Sequence, residues 1–128
     1  MIKKIMFFFI LLSFIITVNS VNYYCTNCTN CNNNITYASE GDTIYLNASI
    51  SNYEGGCITI NKNSLTFDCQ TFNNYIQGDG DDNGIGIDTH SNNSVIKNCN
   101  ISYFVYGINT DNANNSTIND NLIEHNYY

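Results

Sequence analysis

Beyond residue 40 the chain repeats itself, and that repetition limits the folds open to it. Asn92-Asn93-Ser94 returns as Asn114-Asn115-Ser116, an offset of 22. At the same offset Ile96 corresponds to Ile118, Asn98 to Asp120, Cys99 to Asn121 and Ile101 to Ile123. Gly86-Ile87-Asp88-Thr89 and Gly107-Ile108-Asn109-Thr110 correspond at 21. An earlier, longer copy spans residues 56–72 and aligns either through Cys69 or through its apolar residues, one residue apart. Self-similarity at a fixed period of roughly 20 residues marks a solenoid, whose units bury their apolar faces only against one another.

The apolar stretches are short: residues 43–50, 57–60, 65–67, 85–87 and 105–108. They alternate, are rich in Ile, Val, Phe, Tyr and Thr, and sustain no helical spacing, so they predict strands. Between them lie runs of Asn, Asp, Gly and Ser, which accept left-handed turn conformations. Three such strands per period describe an all-β coil of parallel sheets, with about three rungs visible. Equivalent residues then form ladders, Ile on Ile inside and amide on amide at turns. Asn98/Asp120 and Cys99/Asn121 are the candidate turn ladder. The 25 Asn and 18 Ile among 128 residues fit this division of labour.

Glu40-Gly41-Asp42-Thr43-Ile44-Tyr45-Leu46 resembles the strand that opens right-handed parallel β-helix domains of pectin-lyase-like architecture. Leu65-Thr66-Phe67-Asp68-Cys69, Ile76-Gln77-Gly78-Asp79-Gly80 and Gly84-Ile85-Gly86-Ile87 are similar to the first rungs of that family. The resemblance covers residues 36–128 and implies the fold. It implies little about activity, because the fold carries lyases, hydrolases, epimerases, copper-enzyme maturation factors and adhesins. The last repeat stops at Tyr128, where the preceding copy continues into Gly107-Ile108, so the chain is expected to be the N-terminal portion of a longer solenoid.

Three segments are expected: a signal peptide over 1–20, a Cys/Asn-rich segment over 21–39 and β-helix repeats over 40–128. Lys3 and Lys4 precede an apolar run from Ile5 to Val18, and Val18-Asn19-Ser20 offers a cleavage site ahead of Val21. That run falls short of the roughly 20 residues that span a bilayer. Export to the periplasm, cell surface or medium follows; the alternative is an uncleaved anchor, the one membrane contact expected. Residues 21–128 keep Lys62 and Lys97 against all 11 acids, a net charge of −9. With no Arg in the chain, binding of the nucleic-acid backbone is excluded. The six cysteines, Cys25, Cys28, Cys31, Cys57, Cys69 and Cys99, favour disulfides in an oxidising compartment; free thiols and a metal site at Cys25-x-x-Cys28-x-x-Cys31 are the alternatives. The Asn around the first three predicts a loop or cap, not a packed core.

Catalytic chemistry is thin. The Arg base of pectate-lyase-type elimination is missing, and Lys62 or Lys97 as base is weaker than Lys97 as an ordinary solvated lysine. Asn109-Thr110-Asp111 matches the first motif of polygalacturonase-like hydrolases, but Asp81-Asp82 precedes it and neither His90 nor His125 has flanking glycines. Asp79, Asp81 and Asn83 satisfy the first half of a calcium loop, whose twelfth position is His90 in place of Glu. No cofactor is required, and calcium is the one candidate. Sequons at Asn47, Asn92, Asn100 and Asn114 are glycosylation candidates, with others at Asn27, Asn34 and Asn115. The histidines are expected as solvated turn residues. Tyr23, Tyr24, Tyr103, Tyr106, Tyr127 and Tyr128 could line a sugar-binding face or serve as packing.

The expectation is an exported β-helix domain that binds or displays, with extracellular carbohydrate as the ligand suggested by the resemblance and no catalytic site in this segment. The alternatives are a polysaccharide lyase or hydrolase with catalytic rungs farther along, and a periplasmic copper-enzyme maturation factor.

Overall fold

The computed structural model describes residues 19–71, 73–80 and 83–128. The segment expected as a signal peptide lies, but for Asn19 and Ser20, outside the described residues. A strand, β1 (Asn22–Cys25), and a helix, α1 (Cys28–Tyr37), precede the repeats. The first turn follows as β2 (Thr43–Leu46), β3 (Ile50–Tyr53) and β4 (Ile58–Ile60). The second comprises β5 (Thr66–Asp68), β6 (Tyr75–Gly78) and β7 (Ile85–Thr89), and the third β8 (Val95–Lys97), β9 (Asn100–Ser102) and β10 (Tyr106–Asn109). β11 (Thr117–Asn119) and β12 (Leu122–Glu124) begin a fourth, which Tyr128 extends by pairing its backbone with Val105 and Gly107.

Every strand pairs in parallel, giving sheet A (β1-β2-β5-β8-β11), sheet B (β3-β6-β9-β12) and sheet C (β4-β7-β10). The molecule is a parallel β-solenoid of about four turns, one more than the repeat suggests. The extra turn hides in residues 43–50, which read as one apolar stretch but break at 47–49 into β2 and β3.

Register puts like on like. Ile44, Phe67, Ile96 and Ile118 stack inside sheet A, and Ile50, Ile76, Ile101 and Ile123 inside sheet B. Ile58, Ile87 and Ile108 do so inside sheet C. The members in turns one to three are buried apart from the half-buried Ile108, whereas Ile118 and Ile123 on the fourth are 45% and 44% exposed. Along sheet A successive turns open at Thr43, Thr66, Val95 and Thr117, and the second is the longest because it carries longer corners. Its apolar residues set the alignment, so Cys69 falls opposite Asn98 and reaches one residue on to form a disulfide with Cys99.

Left-handed residues turn the corners. Gly41, Ser64, Asn93 and Asn115, with φ of 89°, 56°, 58° and 55°, occupy one position at the entry to sheet A, the first after α1 and the others after a strand of sheet C. Five of the ten non-glycine residues with positive φ among the described residues are Asn, so corner geometry accounts for part of the Asn excess. Asn98 and Asp120 share such a position between sheets A and B, at φ 59° and 54°. The expected amide-on-amide ladder is not what joins them. Asn98 Nδ2 donates to Asp68 Oδ1 at 2.9 Å, while Asn121 accepts from Cys99 N at 2.9 Å and donates to Ile96 O at 2.9 Å. Turning carbonyls and amides need partners, and a side-chain amide one turn away supplies both halves.

The N-terminal segment is a cap, but a helical and packed one. Cys28, Cys31 and Ile35 form the buried stripe of α1, and Asn27 caps it by accepting from Asn30 N at 2.8 Å. Asn32 substitutes for a missing strand above β4, donating to Cys57 O at 2.8 Å and accepting from Thr59 N at 2.9 Å. Disulfides Cys25–Cys31 and Cys28–Cys57 tie the cap together and to the first turn. The thiol and metal alternatives are therefore set aside.

Two substitutions test this packing. A Cβ on Gly86 would lie 2.6 Å from both Gly107 O and Ile101 Cγ2, so Gly86→Ala is expected to cost about 1–3 kcal/mol, read as a lower urea midpoint. Replacing Cys69 and Cys99 together by Ala removes a cross-link between residues 30 apart, and chain entropy predicts a loss of roughly 3–4 kcal/mol.

Candidate functional site: an aromatic corner groove

At the corner between sheets B and C the period stacks aromatic rings on the outside. Tyr103 and His125, both left-handed (φ 62° and 54°), lie ring on ring with centroids 5.3 Å apart and planes 5° from parallel. Farther along each turn, Tyr106 and Tyr128 stack at 5.0 Å. Tyr103, Phe104, His125, Asn126 and Tyr127, with Gly80 opposite, border an open groove of about 330 Å³. A neighbouring recess of about 250 Å³ lies along Asn83, Gly84, Ile85, Val105 and Tyr106.

The groove floor is firmly held. Phe104 is 2% exposed, and Cβ atoms on Gly78, Gly84 or Gly86 would approach its ring to 3.0, 2.8 and 3.1 Å, so glycines there make room for it. Asn126 accepts from Phe104 N at 2.8 Å and donates to Ile101 O at 3.0 Å, repeating at this corner what Asn121 does at the previous one. The rim is aromatic and wet: Tyr103 and Tyr106 are each 42% exposed, and Tyr127 67%. Such a surface can cover a flat, weakly polar ring and still offer hydrogen bonds at its edge.

Of the six tyrosines named from the sequence, Tyr103 and Tyr127 line the groove, and Tyr106 and Tyr128 form the second column. Tyr23 packs against the core, and Tyr24 stacks on Tyr45 at 5.3 Å along sheet A. His125, expected as a solvated turn residue, is part of the first column. Its offset of 22 from Tyr103 was the available signal.

The other residues named from the sequence do not converge here. Asp79 follows β6 and Asn83 precedes β7 in the same turn, while Asp81 of the calcium-loop candidate lies outside the described residues. Among the described residues no three His, Cys, Asp or Glu side chains gather as a metal site. Lys97, expected to be solvated, lies 3.4 Å from the carboxylate of Asp68. Asp68 is 6% exposed and also accepts from Gln70 N and Asn98 Nδ2. Asn47 and Asn114 are exposed, and Asn92 and Asn100 partly buried. Asn92 Oδ1 accepts from Asn114 N at 2.9 Å, and Asn47 from Gln70 Nε2.

A polar clamp sits at the outer edge of sheet C. His90 Nε2 is 3.0 Å from Asp88 Oδ2, and Nδ1 is 3.1 Å from the carbonyl oxygen of Asp111 one turn on. Asn109 Nδ2 donates to the other oxygen of Asp88 at 3.0 Å. Both ring nitrogens face acceptors, and only imidazolium donates from both. The Asp111 carbonyl first, then the Asp88 charge, therefore raises the His90 pKa above its ordinary value, against a smaller opposing effect of desolvation. The structure thus joins Asn109 of the hydrolase-like triplet to Asp88, but takes only a backbone oxygen from Asp111. A histidine bonded through both ring nitrogens clamps two turns.

No family model, curated protein or solved structure matches the chain. The fold class rests on the strand register alone.

The clamp predicts a sign. A raised folded pKa means that the His90 contribution to stability is complete below the unfolded value near 6.5 and is lost as pH rises through the folded one. The Tm difference between wild type and His90→Ala is expected to shrink over that rise. An NMR titration should give a His90 pKa above 6.5 that falls back in Asp88→Asn.

Proposed function

We propose that this chain is an exported or cell-surface parallel β-helix, of the right-handed pectin-lyase-like type, that binds or displays, with carbohydrate in the aromatic corner groove. The observation that carries the ligand assignment is the pair of stacked aromatic columns, Tyr103–His125 and Tyr106–Tyr128, beside that groove. Three disulfides favour an oxidising compartment, in keeping with a leader over residues 1–20. Commitment of His90 to Asp88 and of Lys97 to Asp68 favours binding over catalysis at those two residues.

Charge narrows the ligand. Lys97 lies on sheet A and Lys62 at the corner leading into it, whereas Asp79 and Glu124 adjoin the groove residues Gly80 and His125 in sequence. An acidic glycan would meet negative charge and no fixed cationic side chain of Lys or Arg, so the proposed ligand is a neutral or amino sugar polymer. No cofactor is needed for this mode of binding. Calcium at Asp79, Asp81 and Asn83 is a separate proposal, and a rise in Tm at millimolar calcium is the result that would support it.

A glycan array probed with the secreted protein in EDTA is expected to show binding to neutral or amino oligosaccharides, reduced at least tenfold in Tyr103→Ala. That loss corresponds to about 1.4 kcal/mol, within the range for one aromatic contact. Preference for uronate polymers would overturn the charge argument, and no binding to any sugar would remove carbohydrate from the reading.

A further inference from the structure

The carboxylate of Asp42 is 2% exposed, yet neither ion pair among the described residues involves it. Its oxygens are held by two backbone donors. Oδ1 accepts from Val21 N at 2.7 Å and Oδ2 from Ser39 N at 2.8 Å. A buried carboxylate is expected to carry a cationic partner, and two neutral amides are a modest substitute. Val21 is also the residue at which the leader pattern, an apolar run ending in Val18-Asn19-Ser20, places a cut.

We infer that cleavage between Ser20 and Val21 completes the fold, because the new α-ammonium of Val21 becomes the counter-ion of Asp42. This rests on the export reading above. A signal peptidase of the export machinery adds water across the Ser20–Val21 peptide bond. The C–N bond breaks, Ser20 leaves as a carboxylate, and the released amine takes up the proton to become –NH3+. The nitrogen already lies 2.7 Å from Asp42 Oδ1, so no rearrangement is needed. A bond from a neutral amide to the carboxylate becomes one between two opposite charges.

The surroundings fix the nitrogen in place. Thr43 N donates to Val21 O at 3.0 Å, β1 then runs in register with β2 from Asn22 opposite Thr43, and Cys25 at its far end is cross-linked to Cys31. β1 is the outermost strand of sheet A on the side of the cap. The ion pair therefore pins one end of a strand whose other end is pinned by a disulfide. The remaining charge near Asp42 in sequence is Glu40, exposed, two residues before it. Processing in this arrangement does more than release the chain: it supplies a charge the folded domain uses.

The full chain is to be expressed with its own leader and the exported product identified by intact mass and N-terminal sequencing. A start at Val21 is expected, and a start elsewhere or an uncut chain overturns the cleavage assignment. The docking is tested apart from export by comparing the Val21-start protein with a form carrying Gly-Gly ahead of Val21 and with an α-N-acetylated form. Both keep Asp42 but lose the ammonium at that position. The Val21-start form is expected to melt roughly 4 °C or more higher at pH 7. An ammonium stabilised in the fold has a raised pKa, so the advantage is full below the unfolded α-amino value of about 7.7–8.0 and is lost as pH rises through the folded one. Equal melting temperatures at pH 7 overturn the ion pair, as does an advantage that survives Asp42→Asn or pH 11.

Discussion

Each turn of this molecule is held by the turn before and after it, through parallel strands about 4.8 Å apart whose side chains must repeat. Among the described residues no strand exceeds five residues, too short to be stable alone. Stacking Ile44, Phe67 and Ile96, or Ile50, Ile76 and Ile101, makes one continuous apolar rod of many weak contributions. The price is set at the corners, where the chain must turn after every short strand without orphaning its polar backbone. Left-handed Asn, Asp and Ser residues make those turns, and amides such as Asn121 and Asn126 bridge to the neighbouring turn. The Asn excess and the Ile excess are thus two sides of one constraint.

A solenoid has two ends, and the described residues treat them differently. At the start, β1 extends sheet A, α1 covers the rod, and Asn32 supplies donor and acceptor to β4 as a strand would. Two of the three disulfides lie there. Capping by a helix with few apolar residues works because the cross-links replace area: Cys28 and Cys31 are both the buried stripe and the staples. At the other end Ile118, Leu122 and Ile123 are 43–45% exposed, each lacking the stacked neighbour its counterparts have.

How much of this was legible in the sequence depended on whether the signal was carried by side chains in register. The stacking of Ile96 on Ile118 and Ile101 on Ile123, the strand type and the solenoid class all follow from the repeat. Turn one was obscured because Asn47 interrupts an apolar stretch at a place where no second copy flags it. α1 was missed because Asn is a poor helix former and fills its exposed face; Asn27 as a cap and the spacing of Cys28, Cys31 and Ile35 were the faint signals. The pairing of six cysteines admits 15 solutions, and only the fold brings Cys28 to Cys57. Within the candidate site, the Tyr103–His125 column was implicit in the repeat offset. The His90 clamp was not, because one of its partners is the backbone oxygen of Asp111, which no residue type announces.

The same register that builds the core also stacks the exposed aromatic rings of the proposed binding surface. On the face of sheet A, outward positions form the column Tyr45, Asp68, Lys97 and Asn119, in which Lys97 pairs with Asp68 while Tyr45 stacks on Tyr24. At the corner between sheets B and C, positive φ at Tyr103 and His125 aims large rings away from the rod, where they stack on one another but leave their edges to solvent. A left-handed Tyr is unfavourable by roughly 1 kcal/mol or more compared with Gly or Asn at the same position. The chain tolerates it at Tyr103 although Asn is abundant and would serve the turn better. Stacking on His125 offsets part of that cost, and the ring edges left to solvent are what the proposed sugar ligand would meet.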